Sequence, residues 1–360
     1  MLPLIISGMS WDGLMSETNA NSTFDKKRAV LVIIGCALGA MFLYLTFRDI
    51  PLNDLKNGIK DMQVFYLLPA TGLAVMCQVI RALRFGVILD PFCRLNAKSL
   101  WDLMNIWAAA NMIMPARLAE FIRPYLLVSN GASFSSSLGA VMVERFFDLT
   151  GLLTLLAVVL WRSPHLPTSF AILGEVLLAA LVVGYIVVLA ILARRQKAQK
   201  IIDKILSIFP HRAASFLSGI VSRLIEGIGI MSSFPRVVLI VTYSITLWVL
   251  FALITYMFLL AFSIDAPFLV AVTIQVLMAL GVALPSAPGF IGTFHAVGRY
   301  ALALFGINAV VAVSFATVYH LFSVLISILL GLLSYATGSY RFGHSMFGIS
   351  SQRDSQSVEG

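Results

Sequence analysis

Asn111-Met-Ile-Met-Pro115-Ala-Arg117-Leu-Ala-Glu120-Phe-Ile-Arg123 is the stretch on which the fold turns. It sits inside Ser99 to Val128, an otherwise apolar segment whose halves, about 15 residues each, fall short of the roughly 20 needed for a helical crossing. Pro115 stops a helix between the halves by removing a donor. A charge at membrane depth costs about 3 kcal/mol on insertion scales, so charges in such a setting pair or line a wet cavity. On a helix, spacings of three put Arg117, Glu120 and Arg123 on one side. The pattern is that of a broken hairpin.

Working outward, the surroundings are those of a membrane protein. Of the 360 residues, 59% are hydrophobic and 12% charged, against roughly 25% charged in soluble domains, and mean hydropathy is +0.94. The net charge of +8 does not point to nucleic acid, because the Lys and Arg residues sit beside apolar runs in the manner of topology signals. Cys36, Cys77 and Cys93 form no CxxC pair, which argues against a zinc site or a disulfide framework. The first apolar run follows Lys26, Lys27 and Arg28 and reads as a signal anchor, not a cleaved leader.

Uncharged runs at Ala29–Phe47 and Gln63–Ile80, the second ending at Arg81 and Arg84, form a pair of spans. Leu52–Met62 between them is an amphipathic segment for the outer surface. Leu138–Trp161 and Ala171–Ala193 form another pair, and Val237–Ile264 and Ala309–Ala336 complete six spans. Ser99–Val128 then enters and leaves on the inner side, and Phe268–Phe305 is a second re-entrant hairpin opening outward. With this arrangement 17 of the 25 Lys and Arg lie inside and four outside. The expected fold is an all-α polytopic membrane protein of six transmembrane helices and two oppositely oriented re-entrant hairpins, an inverted repeat with its site at the midplane. Residues 1–28 and 341–360 are expected as cytoplasmic tails around a transmembrane domain at 29–340, with a cytoplasmic amphipathic segment at 194–235.

Glu144, Arg145 and Asp148 repeat the chemistry of the first cluster near the start of a span. Two readings stand for the clusters: structural ion pairs, or an arginine-lined pocket for an anionic head group, since guanidinium matches phosphate oxygens in bidentate fashion. Arg81 and Arg84 belong either to that pocket or to the positive-inside signal. In the second half, Pro285-Ser-Ala-Pro288-Gly289-Phe-Ile-Gly292 combines helix-stopping prolines with glycines that admit close backbone approach, either as an unwound tip lining a path or as a plain outer loop. His295 and His320 lack metal-ligand spacing and read as packed residues; Arg299 is offered His295, Asp265 or an outer anchoring role.

These motifs resemble the lysylphosphatidylglycerol synthase transmembrane family, the flippase-like region found alone or at the N-terminus of the multiple peptide resistance factors. The resemblance covers roughly residues 29 to 340 and is carried by Asn111, Pro115-x-Arg117-x-x-Glu120-x-x-Arg123, Glu144-Arg145-x-x-Asp148 and Pro288-Gly289-x-x-Gly292. Ala119 stands where the family commonly has Gly, and His295 where it commonly has an acid. The soluble aminoacyl-transferase domain of the fused members is not in this sequence, so lysyl transfer is not implied.

The resemblance implies movement of a phospholipid or lipid-linked precursor between leaflets of a cell membrane, here a bacterial inner membrane. The expected partners are an anionic phospholipid or polyprenyl-linked lipid, the membrane itself and a lipid synthase, with no nucleic acid and no cofactor or metal. The expected substrate-binding residues are Asn111, Pro115, Arg117, Glu120, Arg123, Glu144, Arg145, Asp148, Arg81 and Arg84. Pro285, Pro288, Gly289, Gly292 and His295 are expected along the translocation path. A membrane-embedded lipid-modifying transferase is the enzymatic alternative, although no P-loop, HExxH, GxSxG or DxD motif occurs. An accessory subunit recruiting a lipid synthase through Ile201–Ser233 is the third reading.

Overall fold

A computed structural model of the protein describes residues 35–128, 131–162, 168–193, 233–283 and 287–338. The two predicted tails, the amphipathic segment up to position 232 and Pro285 lie outside the described residues. Every regular element among those described is helical.

In chain order the helices are α1 (Gly35–Phe47), α2 (Leu52–Lys60), α3 (Leu67–Leu89), α4 (Ala97–Ile113), α5 (Ile122–Val128), α6 (Phe134–Arg162), α7 (Thr168–Ala193), α8 (Phe234–Ala261), α9 (Phe268–Val282), α10 (Thr293–Ala303) and α11 (Ala309–Thr337). Local chemistry sets several starts. The Asn96 side chain accepts from the Ser99 amide at 2.8 Å at the head of α4, and Asn308 accepts from the Val310 amide at 2.8 Å at the head of α11. Pro235 occupies the first turn of α8, where its missing N–H costs nothing.

Among the described residues three helices are long and apolar enough to cross a bilayer: Val64–Leu89, Phe234–Ala261 and Ala309–Thr337. Their outer faces stay apolar. On α11, Leu321, Leu325, Leu329 and Leu332, three or four residues apart, are all about half exposed, a stripe suited to lipid and unsuited to water. Polar side chains face inward instead: Gln78, Asn105, Ser244, Thr255, Thr273 and Ser314 are buried. The chain is an all-α, multi-pass membrane protein.

Both segments expected as hairpins are helix–break–helix units. In the first, α4 ends at Ile113, a 3-10 stretch runs from Pro115 to Phe121, and α5 follows. In the second, α9 and α10 flank a 3-10 turn at Pro288–Phe290. α4 packs against α11 and α3, α8 against α3 and α9, and α10 against α9 and α11. Gly331 lets α11 approach α4 closely, because a side chain there would meet Ala109 and the Asn105 carbonyl. One hydrophobic core gathers Phe85, Leu103, Leu127 and Phe147 from α3, α4, α5 and α6. A second centres on Phe258 of α8, stacked on Tyr319 of α11 at 4.5 Å.

Two expectations change. The second span does not end at Arg81 and Arg84: α3 continues to Leu89, with Arg84 paired to Glu144 and Asp148 of α6 and Arg81 bonded to Gln78 over the Trp107 ring of α4. Arg299 pairs with neither His295 nor Asp265 in the observed contacts. Its guanidinium donates to the carbonyls of Thr46 (2.6 Å) and Leu45 (3.2 Å) at the end of α1, satisfying carbonyls that a helix C-terminus leaves open and placing a cation at the negative end of its dipole.

Candidate functional site

Four arginines and three carboxylates from α3, α5, α6 and the Pro115–Phe121 turn converge on one cluster, buried at Arg84, Arg123 and Glu144 and partly exposed at Arg145, Asp148 and Glu120. Arg84, 1% exposed, donates to Glu144 at 2.9 Å, to Asp148 at 2.6 Å and to the Ser244 hydroxyl of α8 at 3.0 Å. Arg123, fully buried, donates to the other Glu144 oxygen and to Glu120 at 2.7 Å. Arg145 lies 3.1 Å from Asp148 and 3.8 Å from both Glu120 and Glu144. Arg81 donates to Gln78 at 2.8 Å, and Gln78 in turn to Asn105 of α4 at 2.9 Å.

Position along each helix explains the convergence. Glu144 and Asp148 are one turn apart on α6, as Arg81 and Arg84 nearly are on α3, so one face of each helix presents charge to the other. Arg123 enters from the first turn of α5, directly before Pro124, which is tolerated that near a helix start. Each charge here would be prohibitive alone. Breaking a buried pair by removing one partner costs about 3–5 kcal/mol, and the shared carboxylates spread that dependence over several elements.

Trp107 of α4 forms the floor of the cluster. The guanidinium carbons of Arg123, Arg145 and Arg81 lie 4.3, 5.5 and 5.7 Å from its ring centroid, so the negative face of one indole serves three cations. The cluster is rich in donors and poor in acceptors. Nε of Arg84, Arg123 and Arg145 and Nε1 of Trp107 are all buried without a hydrogen-bond acceptor among the described residues. The four arginines named outnumber the three carboxylates by one charge. Such an arrangement can receive an anion at little further cost in desolvation.

The expected site residues divide accordingly. Arg81, Arg84, Glu120, Arg123, Glu144, Arg145 and Asp148 come together. Asn111 is half-buried in the last turn of α4. Pro115 begins the 3-10 stretch, which also holds Arg117; the side chains of both lie outside those described. Trp107, Gln78, Asn105 and Ser244 join the cluster without having been read from the sequence. Each is a single uncharged residue in an apolar run, and the only available signal was a polar atom at a depth where it needs a partner.

At the second break, Gly289 and Gly292 adopt φ of 64° and 87°, the left-handed region that glycine enters without penalty. A Cβ on Gly289 would stand 2.8 Å from the carbonyl oxygen of Met112, and one on Gly292 would strike the carbonyl of Gly39 in α1. The tip therefore touches backbone on two sides, and Met112 belongs to the end of α4, where the first hairpin breaks. The two breaks meet. Trp107 lies five residues before Met112, about 7.5 Å along α4, so the charged cluster and the meeting point share one helix.

A family model described as the lysylphosphatidylglycerol synthase TM region matches residues 32–331. A "UPF0104 membrane protein" of Methanothermobacter thermautotrophicus is 27% identical over 258 residues, covering 68% of this chain and 75% of that protein. The chain belongs to the lysylphosphatidylglycerol synthase TM region family.

Proposed function

We propose that this member of the lysylphosphatidylglycerol synthase TM region family moves an anionic phospholipid or a polyprenyl-linked lipid between membrane leaflets, with the arginine cluster receiving the head group. The observation that carries the reading is the surplus of buried donors around Trp107: four arginines, three carboxylates and four N–H groups without an acceptor among the described residues. Phosphate oxygens are the acceptors that such a set suits best, since guanidinium binds them in paired hydrogen bonds.

The contact between the two breaks supports a path that continues from this cluster. Unwound backbone at membrane depth persists only where protein or a wet cavity satisfies it, and oppositely oriented broken helices meeting at a midplane site are a recurrent transporter design. In this reading Ser99–Val128 opens inward, Phe268–Phe305 opens outward, and the lipid head passes from Arg81 and Arg145 toward Pro288, Gly289, Gly292 and His295 while the acyl chains stay in the bilayer. In this reading the arginine cluster stands at the inner mouth of a cell membrane protein, which the Lys and Arg distribution supports.

The test is reconstitution of the full chain into vesicles holding a head-group-labelled phosphatidylglycerol, with a membrane-impermeant reductant to bleach label in the outer leaflet. Bleaching beyond the outer-leaflet fraction in protein vesicles, and its loss in Arg84→Gln, is the expected result. Bleaching equal to that of protein-free vesicles refutes the reading.

A further inference from the structure

The second hairpin holds a cluster of its own, apart from the arginines. His320 of α11 directs Nε2 at the carbonyl oxygen of Gly289, 2.6 Å away. A carbonyl only accepts, so this nitrogen carries hydrogen and Nδ1 remains as the basic site of the ring. His295 of α10 lies beside it, with ring centroids 5.0 Å apart. It is 6% exposed, and its Nδ1 is buried without a hydrogen-bond partner among the described residues. Phe47 and Phe294 close over the two rings, at 5.8 Å from His295 and 5.0 Å from His320. Sequence spacing read both as packed residues; it gave no hint that residues 295 and 320 would form a pair.

We propose that His295 and His320 form a binding site for a single proton, and that this proton fastens the tip of the second hairpin. Imidazole is the side chain that exchanges a proton near neutral pH. With one proton on the pair, the bond from His320 to the Gly289 carbonyl becomes charge-assisted, roughly twice as strong as a neutral one. Gly289 is the residue whose backbone lies against Met112, so the proton sets how firmly the two breaks are held together. A second proton 5.0 Å away is repelled, by about two pH units at an effective dielectric of 20. The device is therefore a one-proton latch, tighter as pH falls.

The charged and titratable groups around it leave the pair to itself. No carboxylate occurs on α9, α10 or α11. On α10, Arg299 is engaged with the end of α1 and lies 3.8 Å from Asp49. On α11, the Tyr319 hydroxyl contacts Thr255 and Gln275. α1 carries Cys36 and Tyr44, and α2, against the first turns of α11, carries Asp54, Lys56 and Lys60. α8 carries Arg236, Tyr243 and Tyr256. In the first hairpin Glu120 is held by Arg123, Arg117 stands in the same turn, and Lys98 and Asp102 pair at 2.8 Å near Thr337, the far end of α11.

Proton coupling of lipid movement rests on the translocation reading; the latch does not, and the experiment separates them. The full chain in nanodiscs, with His165, His211 and His344 changed to Gln and the remaining histidines labelled with nitrogen-15, is titrated by NMR. Hydrogen exchange of amides 287–292 is followed by mass spectrometry, corrected for intrinsic rate. We expect both rings to shift in one joint step and tip protection to rise about tenfold from pH 8 to pH 5, the rise disappearing in His320→Gln. Rings that titrate independently, rings that stay neutral down to pH 4, or tip protection indifferent to pH would overturn the latch. If His320→Gln does not fold, the titration and exchange of the parent protein decide alone. In vesicles with labelled phosphatidylglycerol, movement that depends on a pH gradient in the parent and not in His320→Gln assigns the coupling. Movement equally pH-dependent in both refutes the coupling, and no movement at any pH refutes translocation while titration and exchange still judge the latch.

Discussion

Arg84 and Glu144 face each other at 2.9 Å with side chains 2% and 1% exposed, and they join α3 to α6 across the buried interior of the protein. Glu144 also accepts from Arg123, so one carboxylate ties together three elements. This makes the cluster a structural keystone as well as a candidate receptor, and the two roles are separable by experiment.

Glu144→Gln leaves two buried guanidiniums short of a charge, and the expected loss is about 3–5 kcal/mol of stability, read as a fall in folded yield and thermal midpoint in detergent. Arg145→Gln costs less, about 1 kcal/mol, because its ion pairs are longer and partly exposed. Glu120→Gln combined with Arg145→Gln should be non-additive, since the two share partners. Additive effects would mean that the ion pairs act independently.

Trp107→Leu removes the ring beneath three guanidiniums. The expected effect is a loss of about 1–2 kcal/mol together with weakened movement of labelled phosphatidylglycerol. Trp107→Phe keeps an aromatic face and should retain most of both. Equal behaviour of the Leu and Phe variants would show that the ring face contributes only volume.

Gly292→Ala and Gly306→Ala form a matched pair. Both glycines have positive φ, but a Cβ at Gly292 strikes the Gly39 carbonyl, whereas nothing lies within 4 Å of one at Gly306. Gly306→Ala should cost about 1 kcal/mol of backbone strain, and Gly292→Ala at least about 1 kcal/mol more, through displacement of the tip. Thermal midpoints in detergent measure the difference. Insertion hydrophobicity by itself would leave the membrane level of such variants unchanged; the contact with α1 argues for reduced stability.

From the charge distribution we expect position 199 and both termini inside, and Asn53 and Ser163 outside. In a variant with Cys36, Cys77 and Cys93 replaced, a cysteine introduced at 53 should react with an impermeant maleimide in intact cells, and one at 199 only after permeabilisation. Labelling at 199 from outside would invert the scheme and put the arginine cluster at the outer mouth.

The sequence by itself determined the class of fold and where its helices break. Long uncharged runs at 237–264 and 309–336 admit only membrane-spanning helices, and Pro115, Pro288, Gly289 and Gly292 interrupt apolar runs that would otherwise continue, because proline lacks a donor and glycine a side chain whatever surrounds them. It also exposed Arg117, Glu120, Arg123, Glu144, Arg145 and Asp148, since charge in an apolar run is conspicuous. What only the tertiary structure decided is which groups meet. Arg84 finds Asp148 across 64 residues and Ser244 across 160, Trp107 gathers arginines from three other elements, and His295 reaches His320. Helical periodicity reports neighbours three or four residues apart; contacts between helices depend on rotation and depth of packing, which are set by the fit of many side chains at once and leave no trace at any one of them.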